Sequence, residues 1–281
     1  MPAIAFQGEL GAYSHQACHD ARPDHDPLPC PTFEAAVDAV REGRADLAML
    51  PVENSTYGRV ADIHSLLPRS GLHIVAEAFV RVHIHLLGLP GASLDAVRVA
   101  RSHTVLLGQC RAFLAARGIR PQIAADTAGA AMEVARAGDP SLGALASEMA
   151  ARIYGLDVLA REVEDHDRNT TRFLIMAPRP ERPAAGSGPV KTTFVFRVRN
   201  IPAALYKAMG GFATNGVNMT KLESYMIDGS FSATQFYADI EGHPDDPPVA
   251  RALDELAYFT SALDVLGVYP ADPDHFEGGV R

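Results

Sequence analysis

Asn169-Thr170-Thr171-Arg172-Phe173-Leu174-Ile175-Met176-Ala177 sets a polar, charged entry against an unbroken apolar segment. An apolar run of this length reads as a buried strand. Upstream, 161–168 is almost wholly charged. Hydroxyls, an amide and a guanidinium therefore stand where a loop enters a core element, which is how small-molecule sites hold polar groups on a rigid support. Arg172 suits a two-pronged grip on a carboxylate, and Thr171 offers a hydroxyl proton beside it. Strand-entry threonines and an ion-paired arginine are the plainer reading of the same residues.

Moving outward, the same grammar recurs. An apolar strand at 47–50 runs into Pro51-Val52-Glu53-Asn54-Ser55-Thr56-Tyr57-Gly58-Arg59-Val60, ahead of a helical segment at 60–67. Binding loops of open α/β sheets lie off the carboxyl ends of strands. Helix capping explains one of Asn54, Ser55 and Thr56, but not the whole group. The strand at 4–6 ends in a glycine turn, and a helix opening at Ala12-Tyr13-Ser14 leaves backbone N–H groups for an anion. Its spacing is neither a dinucleotide fingerprint nor a phosphate loop. The strand at 97–99 ends at Ser102-His103, followed by a helix through 116 carrying Gln109 and Cys110. His103 reads as a base or as a helix-start residue. Further repeats end at Asp126-Thr127 and at Ser147. Such alternation implies a mainly parallel sheet with covering helices, with Ser14, Asn54, Ser102, Thr127, Ser147 and Thr171 on one rim.

Bulk properties narrow the class. With 47% hydrophobic and 21% charged residues, the 281-residue chain can bury one large or two ordinary cores. A net charge of −9 argues against a nucleic-acid partner. No apolar run approaches the ~20 residues of a membrane span, and the start lacks a secretory pattern. Cys18, Cys30 and Cys110 are odd in number and widely spaced, as expected of reduced cytoplasmic thiols. His83 and His85 share a strand face, but no third ligand is spaced near them, so no metal is expected.

Proline and glycine mark 178–190 as a linker. Beyond it, strands at 194–198, 220–226, 231–240 and 265–269 alternate with helices at 202–212 and 249–259. Asp228-Gly229 is a hairpin turn, the order is the βαββαβ of ferredoxin-like units, and residues from Ala271 look frayed.

Together these stretches resemble prephenate dehydratase. The residues that carry the resemblance are Gly11-Ala12-Tyr13-Ser14, Pro51-Val52-Glu53-Asn54-Ser55 with Gly58 and Val60, Ser102-His103 with Gln109-Cys110, and Asn169 with Thr171-Arg172-Phe173. The tail, through 216–224, resembles an ACT regulatory domain. The resemblance implies a two-lobed, periplasmic-binding-protein-like α/β catalytic domain over 1–177, a linker over 178–190, a ferredoxin-like ACT domain over 191–271 and a tail over 272–281. It implies a cofactor-independent enzyme that decarboxylates and dehydrates prephenate to phenylpyruvate. With no chorismate mutase segment ahead of residue 1, a monofunctional enzyme is expected. Thr171 matches the residue tied to dehydration, and Asn54 and Gln109 match residues that bind and orient substrate. Ser14, Glu53, Ser55, Ser102, His103, Thr127, Arg172 and Phe173 are the remaining substrate-site candidates, with helix-start N–H groups at Ser14 and Ser55 expected to meet anions. Arogenate dehydratase, or a non-catalytic amino-acid sensor, are the alternatives.

In the tail, the resemblance implies L-phenylalanine sensing in a homodimer or homotetramer, through Ala203, Ala204, Leu205, Asn218, Thr220, Leu222, Glu223 and Ser224. Two departures stand out. Ala203 occupies the glycine of a Gly-Ala-Leu turn, and Tyr225-Met226 replaces the Arg-Pro of Glu-Ser-Arg-Pro. The expectation is altered affinity, or altered choice among aromatic amino acids.

Overall fold

A computed structural model describes residues 1–199, 201–227 and 230–275. In chain order, β1 (Ala3–Gln7) turns into α1 (Tyr13–Ala21), then β2 (Asp26–Cys30) and α2 (Phe33–Arg41) follow. Thr32 caps α2, its hydroxyl accepting from the Ala35 N–H at 3.1 Å. β3 (Leu47–Asn54) doubles back as β4 (Gly58–Arg59) before α3 (Ala61–Leu66). β5 (His73–Arg81), β6 (His85–Gly88) and β7 (Val99–Ser102) lead to α4 (Thr104–Gln109) and α5 (Arg111–Arg117). β8 (Arg120–Ile123), α6 (Thr127–Ala137), β9 (Leu142–Ala146), α7 (Glu148–Tyr154), β10 (Asp157–Ala160) and β11 (Thr170–Ala177) complete this part. The carboxyl-terminal elements are β12 (Val190–Val198), α8 (Ala204–Thr214), β13 (Met219–Ile227), β14 (Ser230–Glu241), α9 (Pro247–Phe259) and β15 (Thr260–Pro270).

The chain divides into two compact units, Met1–Val60 with Ala78–Phe173, and Ala61–Glu77 with Leu174–Arg281. In the first, β1 lies between β2 and β3, parallel to both, and β11 borders β3 on its other side. A second sheet runs β10-β6-β9-β7-β8, with β7 parallel to β8 and β9 and with β6 antiparallel to its neighbours. These are the two α/β lobes that the resemblance implied, where the alternating pattern alone pointed to one mainly parallel sheet. Ser102 and Ser147 stand at or just past the carboxyl ends of β7 and β9 in the second sheet, whereas Asn54 and Thr171 belong to the first, at the end of β3 and the start of β11, so the six expected residues do not line the rim of one sheet. Gly11 lets the lobes meet closely. Its φ is +94°, and a Cβ there would stand 2.8 Å from the Ala150 backbone.

In the second unit, β12 to β15 form an antiparallel sheet in the order β13-β14-β12-β15, and β15 pairs in parallel with β5 through Gly267 and Ile74. Phe194, Phe196, Phe236 and Ile240 pack with Phe212 of α8 and Leu256 of α9. Each buried aromatic or aliphatic side chain of this kind contributes roughly 1.5–3 kcal/mol. This is the βαββαβ arrangement expected, although the Asp228-Gly229 turn lies outside the described residues.

Three expectations need correction. The helix reaching 116 is broken at Cys110 (φ −122°, ψ 26°), where Asp165 accepts from the Arg111 and Ala112 N–H groups at 2.9 and 3.1 Å. Ser55 does not start a helix, because the loop pairs as β4 first. The chain beyond Ala271 is not frayed at its start. Ala271 N–H bonds to Pro189 O, and Asp272 N–H donates to Glu77 Oε1 at 2.9 Å.

Candidate active site

Asn54, at the end of β3, organises a chain of side-chain hydrogen bonds. Its Oδ1 accepts from the Thr56 and Tyr57 N–H groups at 2.9 and 3.0 Å. That turn fixes which end of the amide is nitrogen. Its Nδ2 donates to Asn169 Oδ1 at 2.8 Å and to Thr171 Oγ1 at 3.0 Å. Asn169 Nδ2 in turn donates to Gln109 Oε1 at 3.1 Å. Four residues from three stretches of the sequence thus form one polar line. Asn169 is 2% exposed and Gln109 6%, while Asn54 and Thr171 are half-buried at its outer end.

The consequence is chemical. Thr171 Oγ1 accepts from an amide N–H, which leaves its own proton for another acceptor. Gln109 Nε2 donates to no group among the described residues. Two donors are therefore directed by a network whose remaining members are already satisfied.

Arg172 is 5% exposed, and its Nη1 bonds to Glu53 Oε1 at 2.9 Å. The ion pair of the plainer reading is thus present, inside the protein rather than on its surface. Ser55 clamps the loop to β11: its N–H donates to Thr170 O, its Oγ accepts from Thr170 N–H, and it donates to Arg168 O. With its N–H occupied, Ser55 cannot offer that group to an anion. Ser14 sits in the first turn of α1, whose N-cap Ala12 supplies no side-chain bond. Those N–H groups remain suited to an anion.

Other candidates stand in the core or at helix starts. Ser102 is fully buried and donates to Leu145 O at 2.7 Å. Phe173, 1% exposed, belongs to the core. His103 caps α4 through Nδ1, accepting from Val105 N–H. Thr127 opens α6, but Asp126 is the capping group. Cys18, Cys30 and Cys110 are free and buried, and burial pushes the Cys110 thiol far up, with Asp165 and Glu164 adding to the shift. Cys110 is therefore no nucleophile. His83 Nδ1 lies 3.7 and 3.5 Å from Glu162 and Glu164, while His85 Nδ1 accepts from Glu162 N–H. No group of three or more metal-ligating side chains occurs among the described residues.

The sequence places Asn169 in the motif but not among the substrate-site candidates, although it joins Asn54 to Gln109. Its adjacency to Thr171 was visible, but its partners lie 115 and 60 positions away. Asp165 was missed for the same reason.

In the second unit, Ala203 precedes α8 with φ +60°. Asn218 Nδ2 donates to Glu241 Oε2 at 3.0 Å, Thr220 lies against Asp239 O, and Lys221 Nζ lies 3.5 Å from Glu223 Oε1. Ala204 is buried and Leu205 packs against the core, whereas Leu222 is 39% exposed. Ser224 pairs with Phe236 in the β13–β14 ladder. No helix among the described residues is long and apolar enough to cross a membrane.

Residues 4–181 match the family model of prephenate dehydratase. A bifunctional N-acyl-homoserine lactone acylase/prephenate dehydratase of Komagataeibacter europaeus is 55% identical over 96% of both chains. The chloroplastic arogenate dehydratase/prephenate dehydratase 1 of Arabidopsis thaliana is 40% identical over 96% of this chain and 72% of its own. The crystal structure of a prephenate dehydratase from Arthrobacter aurescens in complex with L-Phe superposes with a TM-score of 0.89, at 29% identity, over 99% of this chain and 93% of that one. A match over most of the chain, with relatives this similar, makes the chain a member of the prephenate dehydratase family, whose activity is that of a lyase-type dehydratase.

Proposed function

We propose that the chain converts prephenate to phenylpyruvate, carbon dioxide and water in phenylalanine biosynthesis, without a cofactor. The observation that carries this is the Gln109–Asn169–Asn54–Thr171 line, which ends in a hydroxyl whose proton is free to be given. Prephenate needs little else. The bond to the ring carboxylate breaks, its electron pair enters the ring, and the opposite carbon–oxygen bond breaks as aromaticity forms. The departing hydroxyl takes up one proton and leaves as water. A threonine hydroxyl is a weak acid, so Thr171 acts by hydrogen-bonding the leaving oxygen while the proton arrives from solvent or a neighbouring group. Arg172, backed by Glu53, and the open start of α1 supply positive potential for two carboxylates. Residues 1–177 serve as the catalytic part, 178–190 as linker and 191–271 as an ACT-type regulatory domain that senses aromatic amino acid, as the L-Phe-bound relative suggests.

Purified protein assayed with prephenate and with arogenate tests the assignment. Turnover of prephenate with at least comparable kcat/KM is expected. Turnover of arogenate alone would move the substrate assignment to the amino analogue.

A second activity is favoured by the 55% identity to a bifunctional acylase. Release of free homoserine lactone from an N-acyl homoserine lactone, by the same preparation, tests it. If Thr171→Ala abolishes dehydration and spares lactone release, the two reactions use different groups.

A further inference from the structure

Tyr57 stands in the turn between β3 and β4, immediately ahead of β4. Ser55 fastens the base of that turn to β11, and the Tyr57 N–H donates to Asn54 Oδ1 at 3.0 Å. The Tyr57 side chain, 51% exposed, reaches away from the first sheet to α4, where its hydroxyl donates to Val105 O at 3.3 Å. Val105 lies about one helical turn ahead of Gln109. All of these residues belong to the first compact unit. The lobe carrying Asn54 and Thr171 is thus tied twice to the lobe carrying Gln109. One tie runs inside through Asn169, the other outside through Tyr57.

A neutral hydrogen bond at a half-exposed side chain is modest by itself, but α4 is shaped to this one. Gly108 lies inside α4, where glycine is disfavoured against alanine. No positive φ calls for glycine at this position. A Cβ there would stand 2.6 Å from the Tyr57 hydroxyl oxygen, yet 4.0 Å from the ring carbon that bears it. The other near neighbour, Arg111 Nη2 at 3.9 Å, is at ordinary contact distance. The methyl group missing from α4 is therefore the one that would meet the tyrosine hydroxyl. Loop residue and helix residue fit each other.

We infer that Tyr57 is a positioning residue for the dehydration, and that Gly108 is the notch that receives its hydroxyl. The inference rests on the function proposed above. Thr171 and the Gln109 amide must meet one small substrate from two lobes, and a misplacement of about 1 Å is enough to cost rate. The Tyr57–Val105 bond favours the arrangement in which both groups are in reach before substrate arrives. Losing that bond lowers the share of molecules in this arrangement, and apparent affinity falls by the same share.

Steady-state kinetics with prephenate and urea unfolding, each on the full chain, test the pair. Tyr57→Phe keeps the ring and should raise KM about three- to tenfold, the worth of one neutral hydrogen bond, with kcat within about twofold of wild type. Gly108→Ala should act in the same direction, because its methyl displaces the hydroxyl. The two changes should not add. Gly108→Ala placed on Tyr57→Phe should raise KM no further, since the ring carbon leaves room for the methyl. Urea unfolding reads the same coupling without substrate. Gly108→Ala should raise the midpoint in the Tyr57→Phe background, as alanine for glycine does in a helix, and should raise it less, or lower it, where the hydroxyl is kept. Unchanged KM in Tyr57→Phe, or equal effects of Gly108→Ala in both backgrounds, overturns the role of Tyr57 and leaves the dehydratase reading in place. Absence of prephenate turnover by wild-type protein overturns that reading and the positioning role together.

Discussion

Two residues separate chemistry from scaffolding. Thr171 is half-buried, and one donor, Asn54, holds its oxygen. Thr171→Ala should lower kcat for prephenate by ~10²–10³-fold, the usual worth of one hydrogen-bond donor aimed at charge developing on a reacting oxygen, with KM little changed. Thr171→Ser keeps the hydroxyl and should retain most of the rate. A stopped-assay kcat for the alanine variant within a few-fold of wild type would remove Thr171 from the mechanism. Ala203 is the converse case, a residue working against its backbone. At φ +60° it lies in the left-handed region, which costs a non-glycine residue roughly 1–2 kcal/mol. Ala203→Gly should therefore raise stability by up to about 1 kcal/mol, since glycine loses part of that gain through its freer unfolded chain. Urea unfolding measures this, and a destabilised Ala203→Gly would mean that the methyl group has a packing role.

At the scale of elements, the break at Cys110 carries function. Asp165 accepts from the first two N–H groups of α5, while its own N–H donates to Gln109 O at 2.6 Å. Asp165 therefore starts α5 with its carboxylate and holds Gln109, the last residue of α4, with its backbone N–H, and the Gln109 amide enters the active-site line. Removing such a cap costs about 1 kcal/mol. Asp165→Ala keeps its backbone N–H but releases the loop from α5, and should lose about that much stability in urea and lower kcat/KM for prephenate by about tenfold as the contact with Gln109 O loosens. Asp165→Asn retains an oxygen acceptor and should recover part of both. Unchanged kinetics in a destabilised Asp165→Ala variant would show that Gln109 is held by other contacts. The break also marks the limit of sequence reading. Apolar spacing across 104–116 suits one helix, and the carboxylate that splits it lies more than fifty residues downstream. The alternation of strand, polar turn and helix was legible because it is local, as was the βαββαβ order. Ser55 was misjudged because capping and strand return use the same residue types, and β4, at two residues, is too short to leave a pattern. Ser102 and Phe173 followed the family pattern in type but proved to be buried packing groups. Thr171, Asn54 and Gln109 could be nominated one by one, yet their connection through Asn169 exists only in three dimensions.

At the scale of the molecule, assembly is the property that the exposed surface speaks to. β13 is an edge strand of its sheet, and Leu222 and Met226 on it are 39% and 59% exposed. Edge strands with exposed apolar side chains invite pairing unless charge or another chain blocks them. Nearby in sequence, Ile201 is 47% and Tyr206 82% exposed. Tyrosine at that exposure is more at home in an interface than on a free surface. Association of two copies through the 191–271 segment would cover these groups, and it would also set two starts of α8 at a shared boundary where an effector could bridge them. The expectation is a dimer, or a tetramer built from dimers, by sedimentation velocity at micromolar concentration. Tyr206→Glu and Met226→Glu together should shift the distribution towards monomer, since buried unpaired carboxylates are costly. Kinetics then separates assembly from catalysis. The active-site line from Gln109 to Thr171 lies wholly within the first compact unit, so monomeric variants should keep kcat for prephenate within a few-fold while losing any response to L-phenylalanine that depends on the shared boundary. A wild-type chain that sediments as a monomer at every concentration would end this reading.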